Sequence, residues 1–417
     1  MHPLVTRRET IRAASLCLAL CVSATTALAQ DQGVRELERY REVAPSEEIP
    51  ELTTRTVTVK PESELDLGFT RLHAYLNQRV LYDDNVYLSK HDTKSDTELV
   101  TNPGIMAQSF FGDHRLSVTY SPTRRTYQRE TQLDDWDHVA NADLRLDFVD
   151  SYVRASDSFE RTHETRDIRF PGRVTRDLND AQLEAGLLHG YLGVGVLAEN
   201  RIRTYGREVP AYEDFNENDF KLFGRYAQSA DHAWLLEVGT VFRDFRDTVL
   251  NDSMTTTVLG GLEISPRDDV HCLVKAGPVW VESDHDGSVD DDSDLFDVAA
   301  EAEVSADVMH DVSARVFYVQ RPEYATFSNY QKVYRGGLGS TWKAYRDWLT
   351  VTGQVFAEKA NPSNQDTLSL VGTGIGVDAD VNHWCKVGVG WEWRRRLGTG
   401  DLDYEQNQLY VQAVIYF

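Results

Sequence analysis

Apolar and polar residues alternate along most of this chain, and the clearest stretch is the last one. Leu409, Val411, Ala413, Ile415 and Phe417 are apolar and two apart, while Gln408, Tyr410, Gln412 and Tyr416 fill most of the positions between. A period of two puts one set on each face of a β-strand. The same pattern recurs upstream. From about Gly68 to Tyr82, Leu72, Ala74, Leu76 and Val80 oppose Arg71, His73, Tyr75, Asn77 and Arg79. Ala140, Ala142, Leu144, Leu146 and Phe148 oppose Asn141, Asp143, Arg145 and Asp147, and Cys385, Val387, Val389, Trp391 and Trp393 oppose Lys386, Gly388, Gly390, Glu392 and Arg394. About 18 such stretches, give or take two, follow one another from Leu67 to Phe417.

The connections between them alternate in length. Short turns are expected at Phe111 to His114, Val149 to Ser151, His189 to Gly190, Ser229 to His232, Pro266 to Asp269, Val308 to Asp311, Ala344 to Asp347 and Asp378 to His383. Longer polar loops fall between them, around Asp83 to Asp96, Arg129 to Asp137, Glu164 to Asp180, Gly206 to Asp219, Arg246 to Ser253, Ser283 to Ser293, Pro322 to Asn329, Lys359 to Asp366 and Gly398 to Glu405. Taken alone, the last strand also suits a soluble sandwich. Short turns on one rim, long loops on the other and a chain ending on an aromatic strand favour an all-β, antiparallel up-and-down outer-membrane barrel of about 18 strands. Trp136, Trp234, Trp342, Trp348, Trp384, Trp391 and Trp393 fall mostly near strand ends, where they would form girdles at the two membrane interfaces.

Residues 1–29 read as a secretory leader. Arg7, Arg8 and Arg12 precede the short apolar-rich run Ala13 to Ala24, and Ala27-Leu28-Ala29 is a small-x-small cleavage site before Gln30. The run is too short for a membrane helix. Leu16 and Leu20 precede Cys17 and Cys21, which argues against a lipoprotein anchor. Residues 30–66 are polar, rich in Glu and broken by Pro45, Pro50 and Pro61, and read as a partly disordered periplasmic extension. Residues 67–417 form the barrel. Cys272 and Cys385 lie on separate strands and read as small apolar wall residues.

The formal charge is −24, which argues against nucleic-acid binding. If the apolar face meets lipid, the other face lines a lumen. Parity assigns to it Arg71, Arg79, Arg145, Arg154, Arg201, Arg203, Lys221, Arg225, Arg243, Lys275, Arg315, Arg321, Arg335, Lys343, Lys386 and Arg394. The acids assigned there are Asp143, Asp147, Glu160, Glu184, Glu199, Glu237, Glu263, Asp297, Glu301, Glu303, Glu358 and Glu392. This implies a mixed, slightly basic wall, with the surplus acid in the loops and the extension. Such a wall would attract anionic solutes, and Arg is suited to carboxylates by its planar fork. The bland alternative is that these charges pair across strands and brace the barrel.

Asp284, Asp286, Asp290, Asp291, Asp292 and Asp294 crowd one loop without the twelve-residue EF-hand spacing, and read as a solvated acidic loop. No hydrolase, phosphate-loop or zinc-protease motif occurs. Asp134, Asp135, Asp137, His138, His91, Asp92 and His163 with Glu164 are suitable types for a rim site, but such residues are ordinary in polar loops. The expectation is a non-enzyme without cofactor or metal.

Leu81-Tyr82-Asp83-Asp84-Asn85-Val86-Tyr87-Leu88-Ser89, Ser95-Asp96-Thr97, Asn102-Pro103-Gly104-Ile105 and Arg115-Leu116-Ser117-Val118-Thr119-Tyr120 resemble the opening of the putative β-barrel porin-2 family, as do Tyr127 and the stretch Asp134 to His138. The resemblance implies an outer-membrane barrel that exports an exopolysaccharide, working with periplasmic export partners. The alternative is an uptake porin for oligosaccharides or other small solutes, which would carry an inward-folded loop. A hydrolase or structural barrel ranks below both. Further expected partners are outer-membrane lipid, lipopolysaccharide and the barrel assembly machinery through Phe417, with the protein itself a monomer.

Overall fold

The computed structural model describes residues 65–417 except 164–174, 207–213, 247–249, 285–286, 288–292, 326–327, 346–347, 364–365 and 399–402. The leader, and the extension up to residue 64, lie outside the described residues. A two-residue strand, β1 (Leu65–Asp66), pairs with Leu72 and Arg71. The strands that follow are β2 (Thr70–Asp83), β3 (Asp96–Phe111), β4 (His114–Tyr127), β5 (Asp135–Asp147), β6 (Ser151–Thr162) and β7 (Arg176–His189). Next come β8 (Leu192–Tyr205), β9 (Phe215–Ser229), β10 (His232–Phe245), β11 (Ser253–Arg267), β12 (Val270–Ser283) and β13 (Leu295–Met309). The last six are β14 (Val312–Ala325), β15 (Ser328–Ala344), β16 (Leu349–Pro362), β17 (Leu368–Asn382), β18 (Cys385–Leu397) and β19 (Tyr404–Tyr416).

Each strand from β2 onward pairs antiparallel with its successor, and β19 pairs antiparallel with β2 from Gln408↔Asp83 to Tyr416↔Tyr75. The sheet is therefore a closed 18-strand barrel. Closure leaves no open edge, which hydrocarbon would not tolerate. Phe417 continues the seam, its backbone N–H donating to the Ala74 carbonyl at 2.9 Å. Two-residue turns follow β3, β7, β9, β11, β13 and β17, with Gly112 and Gly190 at positive φ in two of them. The other rim carries the long loops, such as 84–95 and 128–134. One expected turn is misplaced. The turn expected at Asp378 to His383 shrinks to residues 383–384, because β17 continues through Asn382 and takes Asp378 and Asp380 into the wall.

Residues paired across strands share a face, so the register sorts the whole wall. The outward face carries the large exposed apolar residues, among them Val118, Leu236, Val274, Val316, Leu338, Val389 and Val411. Acyl chains cover such a belt in a membrane. Trp136, Trp234 and Trp342 are exposed on this face near strand ends, and Trp348 and Trp384 are exposed in the short turns, as girdles require, while Trp391 is exposed at the middle of β18. Cys272 and Cys385 are free, on β12 and β18.

The inward face holds large rings too, and six of them share one device. Tyr75, Tyr152, Phe223, Phe317, Phe356 and Tyr410 lie directly opposite Gly104, Gly186, Gly195, Gly337, Gly372 and Gly390 on a neighbouring strand. A Cβ on any of these glycines would stand between 2.2 and 2.7 Å from the facing ring. The ring therefore lies flat on bare backbone and does not project across the bore. Gly186→Val is expected to push Tyr152 off the wall and cost about 1–3 kcal/mol through overpacking. Denaturant unfolding of the barrel in lipid vesicles measures this, and an unchanged midpoint would contradict it.

Candidate functional site

The register places every lysine and arginine assigned to the lumen by parity on the inward face. Arg71 and Arg79 stand on β2, Arg145 on β5, Arg154 on β6, and Arg201 and Arg203 on β8. Lys221 and Arg225 stand on β9, Arg243 on β10, Lys275 on β12, Arg315 and Arg321 on β14, Arg335 and Lys343 on β15, and Lys386 and Arg394 on β18. The rows connect them: Arg145 faces Arg154, which faces Glu184, which faces Leu197, which faces Lys221. Of the acids, Asp297 lies on the inward row opposite Val279, near the start of β13. β13 and β14 pair only from Ala300 on, and beyond that point the Asp297 carboxylate meets Lys332 of the outward row at 2.8 Å.

The slightly basic wall is not what the structure holds. The strands reach further into the polar stretches than the apolar period indicates, and bring Asp83, Asp96, Glu98, Asp137, Asp180, Glu217, Asp219, Glu323, Asp378 and Asp380 onto the inward face. Among the described residues only Arg115, Arg125, Arg176 and Arg396 join the bases. The wall is a mosaic of paired charges. Arg201 reaches Glu199, Asp180 and Glu217 at 2.6, 3.3 and 3.3 Å, while Arg243 takes the other oxygen of Glu217. Lys275 lies between Glu237 and Glu301, and Arg225 meets Glu263, Arg335 meets Glu358, Arg315 meets Glu303 and Arg154 meets Asp143. Arg79 and Arg71 lie over the rings of Tyr410 and Phe110.

The candidate rim residues come together in part. Arg125 donates to Glu98 and Asp137, both at 2.7 Å, and Tyr127 adds a hydrogen bond to Glu98. His163 places one ring nitrogen 3.0 Å from Asp137 and the other 2.7 Å from Asp135. Both nitrogens face carboxylates, so His163 has none left to activate a nucleophile. The cluster ties β3, β4, β5 and the end of β6. His138 is outside this group, on the outward row beside Tyr120 and Trp136. His91 and Asp92 are exposed in the loop 84–95, and Glu164 lies outside the described residues. Most of the acidic loop 284–294 is likewise outside them. Among the described residues no group of acids, histidines or cysteines is placed to hold a metal ion.

One feature of the mouth was not expected from composition. The segment 84–95 turns inward. Leu88 is buried in an apolar cluster with Val333 of β15, Phe356 and Ala360 of β16, Leu368 and Leu370 of β17 and Tyr404 of β19, all on the inward face. Asn85 positions it, donating to the carbonyls of Ser89 and Glu405 and accepting from the Ser89 N–H. Asp84 accepts from the backbone and side chain of Asn407. Leu88 holds a φ of 52°, a left-handed conformation uncommon for a branched residue and kept by these contacts. On the far side Tyr87 donates to Glu130 at 2.7 Å, Lys94 meets the same carboxylate, and Lys90 meets Asp403. A second tie crosses the rim where Asn251 donates to Asn329 and Asn329 donates to the Ser293 carbonyl. Val86 and Leu88 are apolar residues inside an otherwise polar loop, but nothing local in the sequence says what they pack against.

The family model for putative beta-barrel porin 2 matches residues 68–194. That span runs from the approach to β2 into the start of β8. No curated protein matches the chain. Among solved structures, the outer membrane protein opdK from Pseudomonas aeruginosa is 9% identical, with a TM-score of 0.46, covering 83% of this chain and 99% of its own. OccAB3 from Acinetobacter baumannii is 10% identical, with a TM-score of 0.46 and the same coverage. The siderophore receptor PirA from Pseudomonas aeruginosa is 7% identical, with a TM-score of 0.44, covering 83% of this chain and 80% of its own. Likeness at that level says nothing about the solute. The chain is a closed antiparallel 18-strand β-barrel whose first third matches that family's model.

Two outcomes follow. Arg125→Met leaves the buried carboxylates of Glu98 and Asp137 without their cation, and is expected to cost about 3–5 kcal/mol. Guanidinium unfolding measures it, and a loss below 1 kcal/mol would contradict the pairing. The hydrogen bonds from Tyr87 and Gln132 hold the Glu130 carboxyl below the usual carboxylate range. Ionised Glu130 therefore contributes its full hold on segment 84–95 above that range, and the hold is lost as pH falls through the lowered value. Hydrogen exchange of the segment, corrected for the intrinsic rate, should rise on acidification in the native chain. It should be high and flat with pH in Glu130→Ala. The same pH dependence in both would contradict this anchor.

Proposed function

We propose that this barrel is a passive diffusion channel for small hydrophilic solutes, with its outer mouth narrowed by segment 84–95. The observation that carries this reading is the seating of Leu88 among inward-facing residues of β15, β16, β17 and β19. A segment held by hydrogen bonds at both ends restricts a bore; a loop that merely frays does not. The flat-lying rings and paired charges support the same reading, because side chains held along the wall leave the axis for solute and water. The wall offers acceptors and donors of both signs, which suits polar solutes of low net charge.

A conduit for an anionic exopolysaccharide, which the family resemblance implies, asks for a clear bore with guanidinium groups free along it. Arg125, Arg201, Arg225, Arg243 and Arg335 instead sit on carboxylates. Small-solute passage is the better-supported reading.

Single-channel recording in planar bilayers tests it. The native chain should give steady openings. Leu88→Asp, which cannot stay in the apolar cluster, should raise the unit conductance, and Asn85→Ala should raise it or make it noisy. Conductance unchanged in both variants, or absent in the native chain, would overturn the reading.

A further inference from the structure

The short-turn half of the lumen is uneven. Across β4 to β6 it carries the charged residues Arg115, Asp143, Arg145, Asp147 and Arg154. On the opposite side, β13 to β16 carry two rows of smaller polar groups. Ser305 faces Arg315, which faces Gly339, which faces Gln354. One step toward the short turns, Asp307 faces Ser313, which faces Thr341, which faces Thr352. Gly339 sits in the middle of this patch, and no atom lies within 4 Å of where its Cβ would stand. The result is a recess of about 680 Å³ in the wall. Small-molecule sites span about 300–1,000 Å³.

We propose that this recess is a binding site for a neutral, polyhydroxylated solute, a mono- or oligosaccharide, within the channel. The inference rests on the channel reading and deepens it. Among the described residues, the hydroxyls of Ser305, Ser313 and Thr341 make no hydrogen bond within the protein, and each can both donate and accept. A sugar hydroxyl asks for that dual capacity. The Phe317 ring, held flat over Gly337, supplies an apolar face beside them for sugar C–H groups. Charge argues against an anion. The Arg315 guanidinium is already 2.6 Å from Glu303, and Asp268, Asp269 and Asp307 line the same recess.

The test is calorimetric titration of the full barrel, folded in a detergent without a sugar headgroup. The probes are glucose, sucrose, maltotriose and, as the anionic comparison, glucuronate. At least one neutral sugar should bind, and more tightly than glucuronate. Gly339→Val puts a branched side chain into the middle of the recess, and Ser313→Ala with Thr341→Val removes two hydroxyls. Each should weaken that sugar about tenfold, as the loss of two hydrogen bonds would. Retained heat-modifiable migration on gels shows that both variants are folded. No binding by any neutral sugar, equal affinity in both variants, or tighter binding of glucuronate would overturn the site. Sugar binding by a barrel that passes no current would leave the site standing and sink the channel reading. Current without sugar binding would do the reverse.

Discussion

Every backbone N–H and C=O inside a bilayer must find a partner within the protein, and that requirement makes the pairing of β19 with β2 the contact on which the barrel depends. Without it both strands would present open edges to hydrocarbon. With it, alternation does the rest. Once the sheet is closed, Leu409 and Val411 can only face out, and Tyr410 and Gln412 can only face in. The barrel's two surfaces follow from parity alone, so the chemistry of the lumen is already written in every second residue.

The inward surface then meets a packing problem. Large rings and long charged side chains must share a cylinder without filling it. Glycine solves the first part locally, because a ring opposite a glycine can lie against the strand. Ion pairing solves the second. An arginine bonded to a carboxylate one or two strands away, as Arg225 is to Glu263, runs along the wall. Such pairs add little stability where water reaches them. Their larger effect is geometric. They leave a bore that is polar without a strong sign, and segment 84–95 then decides how much of its outer end stays open.

Much of this was legible in the sequence. Parity put Arg79, Arg201, Lys275 and Glu358 on the row that the register turns inward, because the apolar half of each strand was unambiguous in the middle of the wall. It failed where strands rise above the membrane. There neither face needs to be apolar, so Asp96, Asp137, Asp180 and Glu217 read as loop residues although they sit in paired strands. That error, together with Asp378 and Asp380 read as part of a turn, made the wall look basic. The inward turn of segment 84–95 was hidden for a different reason. Leu88 finds its partners across four strands nearly 250 to over 300 residues away, and no local pattern records such a contact. The recess around Gly339 depends likewise on the register of four strands.

The central claim is that pairing has neutralised the lumen, leaving neither a basic track nor an acidic one. The zero-current potential of single channels across a tenfold potassium chloride gradient tests it directly. A paired wall with slightly more acid than base predicts a potential near zero, displaced weakly toward cation selectivity. Strong anion selectivity would mean that the inward arginines are free to attract anions, and would contradict the account.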